Sequence, residues 1–349
     1  MKPILAYRPL IHSAIDTFLE EKEKTISPGI AWGEDFVQRL RPFATAGKLL
    51  RGSLLCYSYT LFSGQEPSPA IIKAAVALEL VHAGLLIHDD IMDQDTTRRG
   101  LTAIHYQYQL LASKKNLGDA KHFAESLAIC GGDSAVFFAY ELLAQTGPQA
   151  AAVTSLFSKT LATVCMGQMQ DMYLEASPDM PTKKEIYAVM EAKTASYSLA
   201  LPLVMGAILA EQNVITQRIL HNLGMAAGTI FQIRDDELGA LGNATKLGKP
   251  VGSDIVEGKK TLLYFYLFKS TKATERKRLK SIFGNQAASA QDIMYVQKLI
   301  KAYAIPNLLN QKVRRLEGQA FIAIDKLSIT AAEAQNLRDL VKFCAARQN

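Results

Sequence analysis

Apolar residues recur at helical spacing through nearly every segment of the chain, whereas the strict alternation typical of half-buried strands is hard to find. The segment that follows Pro69 shows the pattern well. One face of its helix would carry Ile71, Ala74, Ala75, Leu78, Val81 and Leu85. Clusters of Gly, Pro, Asn, Asp and Ser separate one such segment from the next. The sequence therefore predicts an all-α fold built from long helices.

Turn signals predict where these helices begin and end. They fall at Gly64 to Pro69, Asn116 to Asp119, Thr146 to Pro148, Ser177 to Pro181, Asn243 to Ser253 and Gly284 to Ala287. Ser68 before Pro69 matches the residue preferences of a helix N-terminus. Thr182 with Glu185 three positions later matches a capping box. Because no repeat, low-complexity linker or shift in composition divides the chain, we expect one helical bundle and a single domain over residues 1–349.

Composition and charge exclude several classes of function. The 39 basic and 33 acidic residues give a net charge of +6, but they form no basic stripe of the kind that binds nucleic acid. The four cysteines are far apart and form no CxxC pair, so neither a zinc site nor a disulfide framework is expected. The longest apolar stretch, Leu199 to Ala210, is shorter than the roughly 18 to 20 residues that cross a bilayer. Because the chain also begins without a secretory signal, we expect a cytoplasmic protein with no transmembrane segment.

An acidic cluster ends the helix that starts near Pro69. Asp89 and Asp93 lie four positions apart and so share a helix face, with Asp90 beside them. Clustered carboxylates repel one another unless a cation joins them. Their hard oxygens suit Mg²⁺, which usually takes one or two carboxylates and fills its other positions with water and phosphate oxygens. A solvated acidic helix end would explain one such motif equally well.

A second acidic cluster favours the metal site. Asp235 and Asp236 interrupt an apolar helix that begins near Ile215, where a buried charge without a partner would be costly. Two interruptions of this kind, each inside a helix with a buried pattern, are better explained by a shared metal cavity than by chance.

Basic residues accompany both clusters. Gly47 to Gly52 opens a predicted helix and places Lys48 and Arg51 on one face near its positive end. The others are Arg98 and Arg99 directly after the first cluster, Lys193 before Thr194, and Lys249 and Lys259 in a Gly-rich stretch, Leu247 to Gly258. Each alone is more often a solvated surface charge. Together they suit a cavity with about three Mg²⁺ and two diphosphates, one bound mainly through metal and the other mainly through Lys, Arg and His, which indicates two substrates.

In chain order these motifs resemble the trans-isoprenyl diphosphate synthase family. The similarity runs from about Gly47 to Thr261, through Gly47-Lys48-Leu49-Leu50-Arg51, Glu79 to His82 with the Asp89 cluster, Arg98-Arg99-Gly100, Lys193-Thr194, Phe231 to Asp236, and Gly248-Lys249 to Thr261. The resemblance implies that isopentenyl diphosphate is bound by Lys48, Arg51, His82 and Arg99. It implies that the allylic diphosphate is contacted by Arg98, Lys193, Thr194, Gln232, Lys249 and Lys259. It implies that Mg²⁺ is held by Asp89, Asp93 and Asp235, which with Lys193 are the expected catalytic residues.

The resemblance also implies the reaction. Charge that builds on the allylic diphosphate is stabilised as its C–O bond breaks, and the isopentenyl double bond attacks the allylic cation. Loss of a proton, which the departing diphosphate would accept, gives a product one isoprene unit longer with a new trans double bond. We expect Leu247 to Gly258 to act as a lid that excludes water from the cation. The family is generally homodimeric, so a homodimer is expected.

Gly239 departs from the family's second motif, which usually ends in a third acidic residue at this position. Glu237 is rotated away from the face of Asp235, so metal affinity on that side is expected to be weaker. Two other functions remain open. A class I terpene cyclase shares the helices and the metal site but needs no second diphosphate pocket. A catalytically silent subunit of an active synthase would explain Gly239 as a first trace of decay.

Product length depends on how far an apolar tail can extend along the helix that precedes Asp89. No aromatic residue blocks the first level, which is occupied by Gly84 and Leu85, and the modest side chains of Val81 and Ala77 follow one and two turns deeper. Aromatic residues of a neighbouring helix would close the tunnel more deeply: Phe137, Phe138 and Tyr140. These rings would equally well fill the core. We expect geranylgeranyl diphosphate as the product, with farnesyl or longer polyprenyl diphosphates as alternatives, and we expect Gly84→Phe to shorten it.

Overall fold

The computed structural model of the chain describes residues 1–26, 29–242 and 252–346. Nearly all regular structure in these ranges is helical, which confirms the all-α prediction. The α-helices are α1 Lys2–Leu5, α2 Arg8–Thr25, α3 Ala31–Thr45, α4 Leu50–Ser63, α5 Pro69–Met92, α6 Ile104–Lys115, α7 Ala120–Leu143, α8 Ala150–Ala176, α9 Lys183–Val189, α10 Leu201–Leu209, α11 Val214–Leu241, α12 Ser253–Glu257, α13 Leu262–Ser270, α14 Ala273–Ile282, α15 Ala290–Ala302, α16 Ile305–Ile324 and α17 Ala331–Ala345. A short 3₁₀ helix, Gly147–Gln149, precedes α8, and a π-helix, Met190–Ala200, joins α9 to α10. One antiparallel hairpin pairs β1 Thr97–Arg98 with β2 Leu101–Thr102.

The predicted turns agree with the observed helix ends. Turns lie between α4 and α5, α6 and α7, α7 and α8, α8 and α9, and α14 and α15, as expected. The capping box at the start of α9 is also confirmed. The Thr182 N–H donates to Glu185 Oε2 at 2.7 Å, and the Glu185 N–H donates to Thr182 Oγ1 at 3.2 Å. The turn expected at Asn243 to Ser253 lies mostly outside the described residues.

The β1–β2 hairpin and the π-helix were not predicted. Glycines explain the packing of the π-helix. A Cβ at Gly167 of α8 would lie 2.8 Å from Ala192 Cβ, and a Cβ at Gly228 of α11 would lie 2.5 Å from Ala195 Cα. Both neighbouring helices therefore approach the π-helix where there is no room for a side chain. π-Helices frequently mark functional sites.

The contacts divide the chain into two compact units. The N-terminal unit comprises Lys2–Leu156 and Met205–Gln212, and the C-terminal unit comprises Met1, Phe157–Val204 and Asn213–Asn349. The single domain over residues 1–349 stays a prediction.

The N-terminal unit is built around α5. From Ile71 to Gly84 almost every side chain is buried, because α2, α3, α4 and α7 pack around this helix. The approach of α7 is especially close, since a Cβ at Gly84 would lie 2.7 Å from the carbonyl oxygen of Gly132. These contacts fix the rotation of α5 and hence the directions of the polar side chains at its end.

In the C-terminal unit α11 has the corresponding position, packed against the π-helix, α12, α16 and α17. The guanidinium of Arg234 fastens it to two of these helices. Arg234 Nε donates to the carbonyl oxygen of Ala345 in α17 at 2.8 Å, and Nη2 donates to Asn310 Oδ1 in α16 at 2.6 Å. Because Arg234 precedes Asp235 in the sequence, these hydrogen bonds hold the helical turn that carries the second acidic cluster.

Four helical segments are long and apolar enough to cross a membrane by length and composition alone. They are Pro69–Met92, Ala120–Leu143, Gly147–Ala176 and Lys183–Leu209. Their most apolar windows are 78%, 39%, 28% and 72% buried within the structure, in that order. The expectation that the chain has no transmembrane segment was based on the length of uninterrupted apolar runs, whereas these four segments are identified by their mean hydropathy. That expectation stays a prediction.

Candidate active site

The first acidic cluster lies at the C-terminal end of α5. The N–H of Asp93 donates to the carbonyl oxygen of Asp89 at 2.8 Å, so helical geometry continues through this turn. Asp89 and Asp93 therefore lie on the same side of α5, as their spacing predicted. Asp90 is completely buried. The partial negative charge of the helix C-terminus adds to that of the carboxylates and favours a cation here.

Arg98 partly neutralises this cluster. Its Nε donates to Asp90 Oδ1 at 2.6 Å, and its Nη2 lies 3.0 Å from Asp95 Oδ2 and 3.3 Å from Asp89 Oδ2. Burial raises the pKa of Asp90 to about 7, although Arg98 opposes the shift. In the described part of the chain, Asp90 Oδ2 is buried without a hydrogen-bond partner. The cluster therefore has capacity for a cation beyond Arg98. The predicted contact of Arg98 with an allylic diphosphate stays a prediction.

The β1–β2 hairpin determines where the two arginines point. Arg98 of β1 pairs with Leu101 of β2, so Arg99 and Gly100 form a two-residue turn with φ of 55° and 78°. Both values lie in the left-handed region, as in the tight turns that join antiparallel strands. Arg98 contacts the acidic cluster, whereas Arg99 contacts a second group of residues around His82.

Arg99 and His82 form a pair within this second group. Arg99 Nη2 lies 2.7 Å from His82 Nε2, and Arg99 Nη1 donates to the carbonyl oxygen of Ala46 at 2.7 Å. His82 is buried, and its pKa is lowered well below the usual value, first by burial and then by Arg51 and Arg99. The structure thus brings together three of the residues expected to bind isopentenyl diphosphate.

Glu79 connects this group to the start of α4. Its carboxylate is buried and accepts the N–H of Gly52 at 2.8 Å. Burial raises the pKa of Glu79, while the charge of Arg51 is the largest effect that lowers it. This contact was not predicted, because Gly52 and Glu79 are 27 residues apart and no local pattern links them.

The position of Lys48 shows that one prediction was wrong. It does not share a helix face with Arg51, because α4 begins at Leu50 and Lys48 lies in the preceding turn. Gly47 and Leu49 on either side both have left-handed φ, 98° and 47°. This turn leaves the Lys48 side chain exposed, so it is accessible to an anion.

A second group of predicted site residues lies in the C-terminal unit, between the π-helix and α11. Lys193 Nζ donates to Asp171 Oδ2 of α8 at 2.9 Å. Thr194 Oγ1 donates to Gln232 Oε1 at 2.6 Å, and Gln232 Nε2 donates to Asp236 Oδ1 at 2.6 Å. The predicted allylic residues Lys193, Thr194 and Gln232 are therefore brought together. Asp171 was not predicted, because no spacing or motif links it to Lys193, which lies 22 residues away.

A small cavity of about 80 Å³ lies at this place, lined by residues that include Asp171, Lys193, Thr194, Gln232, Asp236 and Lys259. A larger cavity, about 560 Å³, lies between α11 and α16. Its lining contains none of the predicted site residues, and its large apolar side chains, such as Ile215 and Ile322, are exposed to solvent. We therefore place the predicted site residues of the C-terminal unit at the smaller cavity.

Several neighbouring carboxylates disfavour ionisation of Asp236. Its pKa is raised well above the usual value, first by burial and then by the charge of Asp254, with smaller effects from Asp235 and Asp171. Glu237 does not join this group, because its carboxylate pairs with Arg234 at 2.5 Å. This agrees with the predicted rotation of Glu237 away from Asp235.

The lysines after α11 differ in what the structure describes. Lys259 Nζ pairs with Glu257 Oε2 at 2.8 Å and lines the small cavity. Lys260, which was not predicted, donates to the carbonyl oxygen of Asp179 at 3.0 Å and also contacts that of Ser177. Lys249 and much of the expected lid, Leu247 to Gly258, lie outside the described residues.

The donor chemistry of both acidic clusters fits Mg²⁺. The available donors are carboxylate oxygens, and among the described residues Asp90 Oδ2 is a buried oxygen that lacks a hydrogen-bond partner. Within the ranges that the structure describes, no three His, Cys, Asp or Glu side chains are gathered closely enough to hold a metal ion by themselves. A cavity shared by both clusters stays a prediction.

Two of the predicted product-length residues have other surroundings. Gly84 does not face an open space, because a Cβ there would meet the Gly132 carbonyl oxygen at 2.7 Å. Phe137 does not close a tunnel within the chain, since 70% of its surface is exposed. Phe138 packs edge to face on Phe18 of α2, with ring centroids 5.9 Å apart. Val81 is fully buried.

Comparison with known proteins agrees with these motifs. Residues 37–300 match the family model described as polyprenyl synthetase. The chain is 32% identical over 308 residues to geranylgeranyl diphosphate synthase of Sulfolobus acidocaldarius, covering 87% of this chain and 86% of that protein. It is 28% identical to geranylfarnesyl diphosphate synthase of Aeropyrum pernix, covering 84% and 88%. A solved geranylgeranyl pyrophosphate synthase of Corynebacterium glutamicum, complexed with isoprenyl diphosphate and magnesium, superposes with a TM-score of 0.92 at 29% identity and 98% coverage of both chains. The chain therefore belongs to the polyprenyl synthetase family, whose members are isoprenyl diphosphate synthases.

Proposed function

We propose that the protein condenses isopentenyl diphosphate with allylic diphosphates in a Mg²⁺-dependent reaction and that its main product is geranylgeranyl diphosphate. One observation carries the proposal. Arg98 lies on the acidic cluster, whereas Arg51 and Arg99 belong to a separate group around Glu79 and His82. A metal-dependent anion site and an anion site in which arginines supply the positive charge suit two different diphosphates.

Side chains of this chain would perform distinct tasks. When bound, Mg²⁺ stabilises negative charge on the allylic diphosphate as that group departs. Lys193, hydrogen-bonded to Asp171, and Gln232, hydrogen-bonded to Thr194, hold fixed positions from which they can orient the same diphosphate. Such preorganised donors need not rearrange when charge develops. Arg99, fixed by His82 and Ala46, would orient isopentenyl diphosphate.

The proposal of geranylgeranyl diphosphate as the product is supported by similar proteins and not by the side chains that were expected to line a tunnel. Geranylgeranyl diphosphate synthases stand beside a geranylfarnesyl diphosphate synthase among the similar proteins. Gly84 packs against α7 and Phe137 is exposed, so neither residue lines a tunnel within the chain. Farnesyl and longer products therefore stay alternatives.

A product assay tests the proposal. Purified protein is incubated with Mg²⁺, labelled isopentenyl diphosphate and, separately, dimethylallyl, geranyl and farnesyl diphosphates. We expect chain elongation that EDTA abolishes, with geranylgeranyl diphosphate as the main product. Asp89→Asn should lower turnover at least about 100-fold, since it removes a proposed metal ligand. Asp325→Asn, at an exposed position outside the candidate site, is the matched control and should leave turnover unchanged.

The same assay separates the alternatives. Arg99→Met should raise the KM for isopentenyl diphosphate more than that for the allylic substrate. A terpene cyclase would convert the allylic diphosphate alone to a hydrocarbon, and Arg99→Met would not change that reaction. Absence of any reaction with all three starters would support the silent subunit.

A homodimer is part of the proposal. Two helices expose large apolar side chains that a second copy would cover. They are Ile129 and Phe137 of α7, and Met166, Met169, Met172 and Tyr173 of α8. Such exposed faces are typical of protein interfaces. We propose that the low burial of these two helices reflects contact with a second copy and not with a membrane.

A further inference from the structure

A cavity of about 560 Å³ between α11 and α16 has no role in the proposed reaction. Its volume lies within the range of small-molecule sites, roughly 300 to 1,000 Å³. Two buried alanines, Ala226 and Ala323, belong to its lining, and their small side chains give it depth. Large aliphatic side chains also line it: Ile215 and Ile219 of α11, and Leu316 and Ile322 of α16. This α11–α16 groove therefore suits an apolar chain, which would cover Ile215 and Ile322, now 71% and 59% exposed.

The two helices run in opposite directions, which places two basic side chains at one end of the groove. Arg234 of α11 contacts Asn310 of α16, and this contact lies beyond one end of the lining in both helices. Arg218 lies 16 residues before Arg234, and Lys326 lies 16 residues after Asn310. Both basic residues line the groove. At 1.5 Å per residue each lies about 24 Å from the contact of Arg234 with Asn310, so they are at the same end.

These two cations make that end of the groove positive. Within the described residues, neither Arg218 nor Lys326 forms an ion pair, and the acidic neighbour of Lys326, Asp325, pairs with Arg338. Because α11 begins here and α16 ends here, the opposite partial charges of the two helix ends offset each other. The two exposed side chains therefore carry the net charge. An anionic group at this end would gain two charge-assisted contacts.

The other end of the groove is acidic. Ala195 of the π-helix lies against Gly228 of α11, and Ala200 lies against Gly224. The π-helix thus runs antiparallel to α11, and Glu191, four residues before Ala195, lines the groove at the end far from the two cations. A carboxylate there disfavours a second anion. The groove therefore matches a molecule with one anionic head and one apolar chain.

We propose that the α11–α16 groove binds the isoprenyl diphosphate product outside the active site, with the diphosphate between Arg218 and Lys326 and the isoprenoid chain over the two alanines. The inference rests on the proposed function, because condensation releases a molecule of this chemistry. A diphosphate carries several negative charges, so two cations suit it better than they suit the single charge of a fatty acid. The groove is separate from the candidate active site, since its lining contains neither the acidic clusters nor the predicted diphosphate ligands.

Equilibrium dialysis of the purified full chain with radiolabelled geranylgeranyl diphosphate tests the proposal. EDTA is present, so that metal-dependent binding at the acidic clusters is suppressed. We expect one molecule bound per chain. Geranylgeraniol, which lacks the charged head, and inorganic diphosphate, which lacks the chain, should each bind at least about 10-fold more weakly. Palmitate should also bind more weakly, because its head has a single charge.

Three variants alter the groove. Arg218→Gln and Lys326→Gln should each weaken binding about 3-fold to 10-fold, because each removes one exposed counter-charge. Ala323→Phe should weaken it more, since the ring fills the space of the chain. Arg314→Gln is the matched control and should bind normally, because Arg314 is an exposed arginine of α16 outside the groove. Arg99→Met is a second control, and its unchanged binding would show that the isopentenyl diphosphate site is not responsible.

Circular dichroism confirms that each variant folds, and the two glutamine variants suffice if Ala323→Phe does not fold. Absence of binding in EDTA would overturn the inference, as would binding that neither glutamine variant weakens or that Arg99→Met abolishes. Palmitate bound as tightly as geranylgeranyl diphosphate would also overturn it and assign the groove to fatty acids. The product assay is independent. Condensation without groove binding overturns this inference alone, whereas groove binding without condensation refutes the proposed function and leaves the site standing.

Discussion

His82 is a buried titratable group whose partner determines its protonation state. A guanidinium can only donate hydrogen bonds, so His82 Nε2 must accept from Arg99 and the ring must be neutral, with its proton on Nδ1. Burial and nearby arginines lower its pKa well below the usual value. Below about pH 6.5 the unfolded chain therefore binds a proton that the folded protein does not. The contribution of His82 to stability is therefore fully present above that pH and is lost as the pH decreases, by up to about 1.4 kcal/mol per pH unit.

Urea unfolding between pH 5 and pH 8 measures this effect. His82→Gln should remove the part of the slope that is due to His82, because its amide oxygen still accepts from Arg99 and does not titrate. The raised pKa values of Glu79, Asp90 and Asp236 act in the opposite sense, but they do so in both proteins and cancel in the comparison. His82→Leu should also lack the slope but lose stability at all pH values, since Arg99 loses an acceptor. An identical slope in the unchanged protein and in the His82→Gln variant would show that another group is responsible.

Arg98 is the counter-ion of the buried Asp90. It is mostly buried and contacts fully buried Asp90, so its removal leaves carboxylates without their counter-charge. We expect Arg98→Gln to cost about 3 kcal/mol of unfolding free energy in EDTA at pH 8. Urea unfolding measures the loss. Arg338→Gln, which breaks a more exposed pair with Asp325, should cost less than about 1 kcal/mol. Equal losses would contradict the role of Arg98 as a buried counter-ion.

At the residue scale the sequence predicted what depends on local spacing. Asp89 and Asp93 could be placed on one side of α5 because they are four residues apart. The contact of Lys193 with Asp171 spans 22 residues, and that of Thr194 with Gln232 spans 38. The family resemblance grouped Thr194 with Gln232. Sequence spacing alone could not predict either contact, because tertiary packing determines which distant residues meet.

At the scale of elements, the α5–α7 contact depends on glycine at one point. A Cβ at Gly84 would meet the Gly132 carbonyl oxygen at 2.7 Å, so Gly84→Ala should separate the helices. We expect a loss of about 1 to 3 kcal/mol although alanine is the better helix former. Thermal and urea unfolding measure the change. Gly84→Phe would disturb this contact more severely, so a changed product length in that variant would not report on a tunnel alone.

Gly318 provides the matched control. It also lies inside a helix, α16, but a Cβ there would have no heavy atom within 4 Å. Gly318→Ala should therefore stabilise the protein by about 0.5 to 1 kcal/mol through lower backbone entropy of the unfolded chain. If both substitutions stabilise the protein, α7 can move away from α5 at little cost, and the close contact is not important.

Element types and ends followed from the sequence more reliably than the contacts between elements. Pro69, Thr182 and the turn clusters mark helix ends through local chemistry, and these predictions were confirmed. The π-helix was missed because the glycines that make room for it, Gly167 and Gly228, belong to other helices. The direction of Phe137 was missed because α7 carries apolar residues on more than one face, so periodicity does not identify its buried side.

At the scale of the whole molecule, the exposed apolar faces of α7 and α8 predict a dimer. Phe137 and Met169 are 70% and 72% exposed, which is unusual for large apolar side chains in the absence of a partner. If a second copy covers these faces, Phe137→Glu and Met169→Glu should each bury a charge in the interface. Light scattering coupled to size-exclusion chromatography should show a dimer for the unchanged protein and a shift to monomer for both variants.

Met294→Glu is the matched control, because Met294 is also exposed, at 58%, but lies on α15 away from both faces in the sequence. It should leave the dimer intact, since one exposed apolar residue alone does not indicate an interface. An unchanged protein that is monomeric at micromolar concentration would contradict the homodimer. Flotation with vesicles of neutral phospholipid would then decide whether α7 and α8 contact a membrane instead, because binding that Phe137→Glu abolishes requires that face to meet lipid.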